Sequence, residues 1–432
     1  MNIWIASACD PLPRIDDDIR LLRYGSIAQA LVADGHTVIF WTSTFAHWRK
    51  QSRYTKDTTC EVGPNFTAEF LYAPGYSSNV SLARIRHNFQ LARAFTRRAK
   101  QTADRPDVIL AEIPCLELAE AAAQFASRHG IPFVCDVQDI WPDVYLTWLP
   151  RSLHTLGRWI LSSEYARLRR ILAATHGVTA VSEAYLRWAQ PWLNRQLGEN
   201  DQVFPLGYAL PSEAIQLKAA NRRRGFLDQH RLSPDQLLVT FLGQFATSYD
   251  VETIVEAARL LEKNPALPDY QLVLAGSGDK EPAIRRRAAG LRTVTFTGWL
   301  EHSDTICLLE SSHLALAAYA RNAAQSLPYK PFEYMAFGLP IINSLPGELS
   351  EIIARQGLGL NYEAESPESL ASAIGQLLND YGQRAACAKR ARQLYDRSYS
   401  AEAIYAKMSL FLGTFHVQRS VRFGNFVEKS NH

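Results

Sequence analysis

Short apolar runs alternate with amphipathic segments along the first half of the chain. The segment 24–34 carries Ile27, Ala28, Leu31 and Val32 on one helical face and lies between two such runs. A buried strand, an amphipathic helix and a second buried strand form a βαβ unit, so this order predicts a parallel sheet with right-handed crossovers. The predicted strands are 2–8, 36–41, 108–111, 133–137 and 178–181.

The alternation stops at Phe204-Pro205-Leu206-Gly207-Tyr208 and then starts again, which predicts a second domain of the same class. The fold class is therefore α/β, with domains at 1–205 and 206–397 and a C-terminal segment at 398–432 that begins with a helix. The predicted strands of the second domain are 237–242, 271–275, 294–296, 315–318 and 341–342.

Composition narrows the function classes. The 432 residues are enough for two cores, and a net charge of +3 gives no support to nucleic-acid binding. The six cysteines form no C-x-x-C pair, so neither a zinc site nor a disulfide framework is expected. The first residues lack the pattern of a signal peptide, and no apolar run reaches the ~18 residues of a membrane-spanning helix. We expect a cytoplasmic protein that contacts a membrane, if at all, peripherally on its inner face.

Basic side chains follow one face of the helix predicted for 82–100. The members of this basic stripe are Arg86, Arg93, Arg97 and Lys100. The stripe suits an anionic membrane surface or a phosphate-bearing acceptor, but a solvated helix face has the same pattern, so both interpretations stay open. The preceding stretch, 45–80, is interpreted as a long loop insertion at the strand ends.

Glycine follows three predicted strands of the second half, at Gly243, Gly276 and Gly298. Because the carboxyl ends of parallel strands meet at one edge of a sheet, these turns predict a ligand-binding rim there. A single glycine-rich turn is a weak phosphate signal, but its repetition at successive strands strengthens the prediction.

A helix is predicted next to this rim, beginning near Pro328 with Ser326 as its N-cap and ending at Gly338. Lys330 and Glu333 lie three residues apart on a face separate from its apolar one. A helix N-terminus beside a lysine suits a small anionic ligand. An ordinary surface ion pair between Lys330 and Glu333 is the alternative.

Polar residues also mark the strand ends of the first half. Glu112 is predicted just past the strand 108–111, and Asp139 follows the strand 133–137. Asp139 has two interpretations, as a contact to a substrate hydroxyl or as a cap of the following segment. Gly25 either admits a ligand close to the backbone or is simply tolerated at a helix start. The first turn has no G-x-G-x-x-G, so a nicotinamide oxidoreductase is not supported.

Motifs in both halves of the chain resemble one known family, the retaining glycosyltransferases of family 4, in the bacterial branch that builds surface polysaccharides and O-antigens. The resemblance covers nearly the whole chain. It rests on L-R-Y-G-S-I-A-Q-A-L at 22–31, D-V-Q-D-I-W-P-D at 136–143, F-P-L-G-Y at 204–208, F-L-G at 241–243, L-A-G-S-G at 274–278, F-T-G-W at 296–299, P-Y-K-P-F-E-Y-M-A-F-G-L-P-I-I at 328–342 and P-G-E-L-S-E-I-I at 346–353.

The resemblance implies the GT-B fold, in which two Rossmann-like domains face each other across a cleft and the last helix crosses back to the N-terminal domain. The N-terminal domain would bind the acceptor, a glycan or a lipid-linked saccharide, and the C-terminal domain a nucleotide-sugar. The sugar would pass to an acceptor hydroxyl with retention at the anomeric carbon. The resemblance implies neither a metal ion nor a cofactor beyond the nucleotide-sugar donor.

The same resemblance gives particular residues candidate roles. The catalytic candidates are Glu112, Asp139 and Gln325, and the acceptor-side candidates are Tyr24 and Gly25. The candidates for nucleotide-sugar binding are Gly243, Gln244, Gly276, Gly298, Trp299, Arg321, Ser326, Leu327, Lys330 and Glu333.

Two departures from the family pattern concern the donor site. The family has two glutamates eight residues apart, and Glu333 matches the second, whereas Gln325 stands at the first. The family's basic pair is also missing, because the loop 244–250 contains no basic residue. Lys330 and Arg321, with the helix N-terminus, are expected to supply positive charge instead. A non-catalytic partner subunit of a glycosyltransferase complex and a GT-B sugar-nucleotide epimerase therefore stay open as alternatives.

Overall fold

The computed structural model describes residues 1–16 and 20–429. The chain divides into two compact units, one formed by Met1–Pro205 together with the chain from Ala401 onward, and the other by Leu206–Ser400. Each unit is built on its own parallel sheet, which is the arrangement that alternating strands and helices predict.

The first unit contains an eight-stranded sheet and a short hairpin, with helices in the connections. Its strands are β1 Asn2–Ala6, β2 Thr37–Ser43, β3 Phe45–Ala46, β4 Gln51–Ser52, β5 Thr58–Gly63, β6 Phe66–Leu71, β7 Val108–Ile113, β8 Phe133–Val137, β9 Gly177–Ala180 and β10 Asp201–Val203. Its first helices are α1 Arg23–Ala33, α2 Leu82–Gln101, α3 Leu116–His129, α4 His154–Ile160, α5 Ser162–Ala173 and α6 Glu183–Ala189, with 3₁₀ turns at Asp143–Trp148, Arg151–Leu153 and Gln190–Trp192.

The strand order of this sheet is β10-β9-β8-β7-β1-β2-β6-β5, and only β5 pairs antiparallel. The prediction of a long loop at 45–80 is therefore wrong, because β6 pairs with β2 along its whole length and β5 forms the sheet edge. Phe66, Ala68 and Phe70 of β6 are buried while the residues between them are half-buried. That period-two alternation is the signal that predicts a strand.

Aromatic side chains fill the core on one face of this sheet. Trp4 of β1 packs against Trp41 of β2 and Phe125 of α3, with ring centroids 4.8 and 5.2 Å apart, and Phe95 of α2 closes the group. All four rings are buried. Their burial holds α2 and α3 against the sheet and so fixes where the strand ends point.

The helix α15, Ala401–Lys429, packs in the first unit and is the helix predicted at the start of the C-terminal segment. Its buried residues include Met408, Phe411 and Phe415. A Cβ on Gly177 would lie 2.6 Å from the Phe415 ring, so glycine at that position lets the helix approach β9. The ring centroids of Phe411 and Phe204 are 5.4 Å apart, which ties the helix to the end of the first unit's main segment.

The second unit contains a six-stranded parallel sheet in the order β13-β12-β11-β14-β15-β16. Its strands are β11 Leu237–Leu242, β12 Tyr270–Ala275, β13 Val294–Gly298, β14 Leu314–Ala317, β15 Ile341–Asn343 and β16 Gly359–Asn361. Its helices are α7 Glu213–Gln229, α8 Val251–Leu261, α9 Glu281–Arg287, α10 His302–Ser311, α11 Tyr329–Ala336, α12 Glu348–Gln356, α13 Pro367–Asn379 and α14 Tyr381–Leu394, followed by a π-helical turn at Tyr395–Tyr399.

The helix predicted near Pro328 is α11, and its predicted N-cap is wrong. Pro328 occupies the N-cap position with ψ of 165°, and no side chain caps the helix. The extended Pro328 separates Ser326 from the first helical turn, so the Ser326 hydroxyl does not cap it. The first backbone N–H groups of α11 are thus left without a side-chain cap.

Candidate functional site

Three strand-end turns of the second unit are joined by backbone hydrogen bonds. The Gly276 N–H donates to the Gly298 carbonyl at 2.8 Å, and the Gly243 N–H donates to the Ala275 carbonyl at 2.9 Å. The Phe245 N–H continues the series by donating to Ser277. The turns after β13, β12 and β11 therefore form one continuous rim at the carboxyl edge of the sheet, as the repeated glycines predict.

Gly276 is needed for this close stacking. Its φ is +138°, and a Cβ there would lie 1.7 Å from the carbonyl oxygen of Gly243. A side chain would push two of the turns apart, so this glycine shapes the rim through packing rather than through room for a ligand. Gly298 also has positive φ, at +71°, but a Cβ there would meet open space.

Lys330, on the first turn of α11, extends across the turn at Gly243. A Cβ on Gly243 would lie 2.8 Å from Lys330 Cε and 3.0 Å from Nζ. The ammonium donates to the Tyr249 hydroxyl at 2.7 Å and lies 4.1 Å from the centre of the Tyr249 ring. The lysine thus brings its charge into the loop 244–250, from which the expected basic pair is absent. Among the described residues, no ion pair joins Lys330 to Glu333. The alternative interpretation of these two residues as a surface ion pair is therefore not supported.

Tyr334 fixes α11 against the sheet. Its hydroxyl accepts from the Leu242 N–H at 3.2 Å and donates to the Leu316 carbonyl at 3.4 Å, at the ends of β11 and β14. Burial, and then the neighbouring Glu333 charge, raises the pKa of the Tyr334 hydroxyl far above its usual range, so it stays protonated. Glu333 is itself buried, one helical turn after Lys330. The helix therefore presents an ammonium and a carboxylate at fixed positions beside the rim.

The loop before α11 contains a polar atom that has no hydrogen-bond partner among the described residues. Gln325 is half-buried, and its Oε1 is buried with no hydrogen-bond partner among the described residues. A buried amide oxygen without a donor is costly, so a ligand hydroxyl would stabilise it. Ser326 is half-buried and Leu327 is buried, so the loop lies against the unit rather than in solvent.

Three other predicted donor-site residues are placed differently from this group. Arg321 is exposed, donates to the Ala364 carbonyl at 2.8 Å and pairs with Glu363 and Glu365, so its charge is already engaged. Gln244 is exposed at the start of its loop. Trp299, directly after Gly298, is one of the most exposed aromatic side chains of the described residues.

A buried polar network lies at the strand ends of the first unit. The Asp136 carboxylate, on β8, accepts from Arg23 Nε at 2.7 Å and Nη2 at 2.9 Å and from the Tyr24 hydroxyl at 2.7 Å. Arg23 also donates to the carbonyls of Phe204 and Pro205. All of the Arg23, Tyr24 and Asp136 side chains are fully buried. Tyr24, predicted on the acceptor side, therefore has a structural partner, and its hydroxyl is not presented to a ligand.

Glu112 lies inside β7 and not just past it, which corrects the prediction. Its carboxylate accepts from the Ser7 hydroxyl at 2.8 Å and the Ala8 N–H at 2.6 Å. Burial, followed by repulsion from Asp10, raises the pKa of Glu112 to about 8. Asp10 accepts from the Tyr24 N–H at 2.5 Å, and burial raises its pKa to about 7. Two adjacent carboxyls that hold protons near neutral pH are a chemical feature that the apolar pattern of β7 conceals.

Gly25 and Asp139 are occupied by local contacts. A Cβ on Gly25 would lie 2.6 Å from the Pro11 carbonyl oxygen, so the glycine serves the close packing of the β1–α1 loop. The Asp139 carboxylate accepts from the Ile140 N–H at 3.0 Å and the Trp141 indole N–H at 3.2 Å, and burial raises its pKa. The local interpretation of both residues therefore agrees with their surroundings.

Four site residues were missed from the sequence. Arg23, Asp10, Tyr249 and Tyr334 act through contacts with residues far away in the chain. For Arg23 a signal was present, since a basic residue at the start of an otherwise apolar helical face asks for a buried partner. For Tyr249 there was none beyond its position in the loop that lacks the expected basic pair.

Metal-binding clusters and membrane-spanning helices are both absent from the described residues. In residues 1–16 and 20–429, no group of three or more His, Cys, Asp or Glu side chains is arranged to hold a metal ion. Over the same part of the chain, no helix combines the length and apolar character that crossing a bilayer requires.

Two family models match the chain, one on each unit. The model described as Glycosyltransferase Family 4 matches residues 25–195, and the one described as Glycosyl transferases group 1 matches residues 223–394. The chain belongs to the family 4-type glycosyltransferases. The predicted family is thereby confirmed, while the O-antigen branch stays a prediction.

Curated members of this glycosyltransferase family match parts of the chain. It is 30% identical over 152 residues to the GDP-mannose-dependent monoacylated alpha-(1-6)-phosphatidylinositol monomannoside mannosyltransferase of Corynebacterium glutamicum, covering 34% of this chain and 40% of that protein. It is 24% identical over 269 residues to the lipopolysaccharide core biosynthesis glycosyltransferase LpsE of Rhizobium meliloti, covering 61% of this chain and 73% of that one. The chain spans about two fifths of the length of the first curated relatives that it matches.

Solved structures show the fold of this glycosyltransferase family along almost the whole chain. The sucrose-phosphate synthase of Thermosynechococcus elongatus has a TM-score of 0.70 at 20% identity, covering 98% of this chain and 99% of that one. HepE of Anabaena, solved in complex with UDP, has a TM-score of 0.64 at 14% identity, covering 96% of this chain and 100% of that one. The predicted GT-B fold class is confirmed.

Proposed function

We propose that the protein is a retaining glycosyltransferase that moves a sugar from a nucleotide-sugar to a hydroxyl of a glycan or lipid-linked saccharide in cell-surface polysaccharide synthesis. The observation that carries the proposal is the group of Lys330, Glu333 and Gln325 beside the glycine rim, with α11 open at its N-terminus. No substrate or cofactor beyond the nucleotide-sugar and the acceptor is needed for this chemistry.

The donor diphosphate would lie between the Lys330 ammonium and the first N–H groups of α11. A helix N-terminus carries roughly half a positive charge, and an ammonium adds a full one. Glu333 would accept hydrogen bonds from the ribose hydroxyls, since a carboxylate is an acceptor only. Trp299, exposed beside Gly298, would cover the base. The same positive groups would stabilise the charge that develops on the diphosphate as the glycosidic bond breaks.

Gln325 would contact the transferred sugar, because its buried Oε1 can accept from a sugar hydroxyl. It brings no charge, in contrast to the glutamate that the family resemblance leads one to expect there. The acceptor oxygen would attack the same face of the sugar that the diphosphate leaves, so the protein supplies positioning and electrostatic stabilisation and no nucleophile. Glu112, whose pKa burial raises to about 8, would be mostly protonated at neutral pH and would bring no full negative charge to the acceptor side.

Several comparisons support the coarser part of the proposal. HepE was solved with UDP and with UDP-glucose, and LpsE is described as acting in lipopolysaccharide core biosynthesis. The Corynebacterium relative acts on a phosphatidylinositol mannoside, which is a lipid-linked saccharide. A lipid-linked acceptor would also give the protein a reason to contact an anionic membrane surface peripherally.

A thermal-shift screen against UDP-, GDP-, CDP- and dTDP-sugars tests the donor site. We expect one base to raise the melting temperature of the parent protein and of Arg321→Gln, since Arg321 is paired elsewhere. The same ligand should have little effect on Glu333→Ala. Equal stabilisation of the Glu333→Ala variant would contradict the assignment. Conversion of the free nucleotide-sugar without an acceptor would favour the epimerase, and absence of turnover with any donor would favour the partner subunit.

A further inference from the structure

The segment from Leu149 to Ile160 is apolar yet lies on the surface of the first unit. Trp159 is 74% exposed, Ile160 64% and Leu156 52%, and Leu153 is also exposed. Leu156, Trp159 and Ile160 stand at i, i+3 and i+4 of α4, so they share one face of the helix. We call Leu153, Leu156, Trp159 and Ile160 the apolar face.

The opposite side of α4 is firmly packed. Gly157 is buried, and a Cβ there would lie 2.7 Å from a methyl group of Leu146 and 3.0 Å from one of Leu149. The helix therefore lies flat on the unit through Gly157 and turns its largest apolar side chains outward. Burying a tryptophan, an isoleucine and two leucines would be strongly favourable, so their exposure calls for a partner.

The charged residues within the segment that carries the apolar face are all of one sign. Between Leu149 and Leu161 the chain contains Arg151, His154 and Arg158 and no acidic residue. Arg151 and Arg158 are exposed. A tryptophan flanked by cations and aliphatic side chains is the composition that binds at the interface of an anionic bilayer, where the ring lies at headgroup depth and the cations meet phosphate.

The basic stripe of α2 is a poorer candidate than the sequence suggests. Arg97 pairs with Asp57 at 2.6 Å, and Arg93 and Lys100 line a groove together with Glu117 and Glu120. The Asp57 carboxylate offsets the charge of Arg97, whereas Glu117 and Glu120 are themselves paired with Arg167. The segment Leu149–Leu161 itself contains no carboxylate, and its Arg158 interacts with the Tyr165 hydroxyl, which donates to Asp143.

The first turns of α2 lie beside Trp141 and α5. The Arg84 guanidinium is 5.4 Å from the centre of the Trp141 ring, and the Arg167 guanidinium of α5 is 5.1 Å from that of Phe89. Leu82 and Ile85, on the same turns of α2, are exposed apolar residues.

We propose that the apolar face of α4 is a docking surface for an anionic lipid bilayer, into whose interface Trp159 and Ile160 insert. The proposal rests on the proposed function for its purpose, which is to bring the first unit to a lipid-linked acceptor. It does not involve the donor site, so the two can fail separately.

Sedimentation with vesicles of phosphatidylcholine, with and without phosphatidylglycerol, tests the proposal on the full chain. We expect the parent to bind the anionic vesicles, and Trp159→Ser/Ile160→Ser to bind them at least about tenfold more weakly. The matched control, Leu217→Ser/Leu410→Ser, removes two equally exposed apolar side chains elsewhere and should bind like the parent. Arg151→Ser/Arg158→Ser should lose the preference for anionic over neutral vesicles, and it serves as the test if the first variant does not fold.

Equal binding of the parent and the Trp159→Ser/Ile160→Ser variant would overturn the proposal, as would a parent that binds neither kind of vesicle. A concentration-dependent dimer that the same variant abolishes, without vesicle binding, would show instead that the face joins two copies of the chain. Stabilisation by the nucleotide-sugar is measured on the same samples. If the nucleotide-sugar does not raise the melting temperature of the parent, the proposed function is contradicted. If it raises the melting temperature of the variant, the fold of the variant is intact.

Discussion

The position of the Lys330 charge gives the sharpest test of the proposed donor site. Its ammonium lies 2.7 Å from the Tyr249 hydroxyl, at the end of the loop that lacks the family's basic pair. A lysine side chain is about as long as a tyrosine. A lysine placed at position 249 would therefore put its ammonium close to the present position of Lys330 Nζ. We predict that Lys330→Met loses most of the activity and that Tyr249→Lys/Lys330→Met recovers a large part of it.

The expected size follows from the charge that is removed. Two unit charges about 4 Å apart interact by about 4 kcal/mol at an effective dielectric constant of about 20. Lys330 is only half-buried, so solvent screening reduces that figure. Loss of one preorganised group that stabilises a developing charge commonly costs about 10²–10³ in kcat. We therefore expect Lys330→Met to lower kcat about 100-fold and the relocated lysine to restore at least about tenfold.

The assay is release of nucleoside diphosphate with the donor found by the thermal-shift screen. Tyr249→Phe is the matched control, since it keeps the ring beside the ammonium and removes only the hydrogen bond that the ammonium donates, so it should lower kcat less than the loss of the charge in Lys330→Met. Melting curves without ligand establish that each variant is folded. Tyr249 packs against the core, with its ring centroid 5.9 Å from that of Phe241 and 5.3 Å from that of Tyr319. We therefore expect Tyr249→Phe to melt like the parent and Tyr249→Lys to melt at a lower temperature while staying folded.

Two results would refute the reasoning. Full activity of Lys330→Met would show that the diphosphate draws its charge from elsewhere. A folded Tyr249→Lys/Lys330→Met protein that is no better than Lys330→Met would show that a cation at this place does not suffice, so the assignment of the diphosphate position would fall.

Three further predictions concern stability and pH. Gly276→Ala should lower the free energy of unfolding by at least about 2 kcal/mol, because its Cβ would lie 1.7 Å from a carbonyl oxygen at φ of +138°. The control Gly225→Ala, in α7, meets nothing within 4 Å and should not lower it. Equal melting temperatures of the two variants would contradict this prediction. Arg23→Met should destabilise by about 3–5 kcal/mol in chemical denaturation, since it leaves the Asp136 carboxylate buried without its cation, and Arg23→Met/Asp136→Asn should recover part of the loss. The pKa of Glu112 in the folded protein, about 8, lies above the ordinary carboxyl value, so the parent should lose stability as pH rises between the two values. In thermal melts at pH about 5 and about 9, Glu112→Gln should show a smaller loss than the parent. An unchanged pH profile would exclude Glu112 as the source of the loss.

The sequence determined the fold class and the place of the glycine rim. Continuous apolar runs bounded by glycine are a local signal, and they predicted every strand of the second unit except β16, the short edge strand Gly359–Asn361. Both bounds of β11 were predicted, because a continuous apolar run that ends at a glycine marks them. The helix α7 was missed, since its apolar residues do not form a clear stripe.

Only the tertiary structure decided what most candidate residues do. Gly25 and Gly276 look alike in sequence as glycines in turns. Each is explained by the carbonyl oxygen of another segment, which would lie 2.6 Å from a Cβ added at Gly25 and 1.7 Å from one added at Gly276. The sequence makes Tyr24 a candidate for contact with the acceptor, but in the fold its side chain is buried and its hydroxyl donates to Asp136. Arg321 and Lys330 are equivalent cations in the motif region, but long-range partners engage the first and leave the second beside the rim.

The same distinction explains the surface. Amphipathic spacing made the basic stripe of α2 visible in the sequence, but the carboxylates of α3 that lie beside it come from a separate segment. The spacing of the apolar residues of α4 does not say whether they are buried. In the folded unit Gly157 is the buried residue of this helix, and Trp159 is exposed. Periodicity records which residues share a face. Which face is covered, and by what charge, depends on contacts between distant segments, and those arise only when the chain is folded.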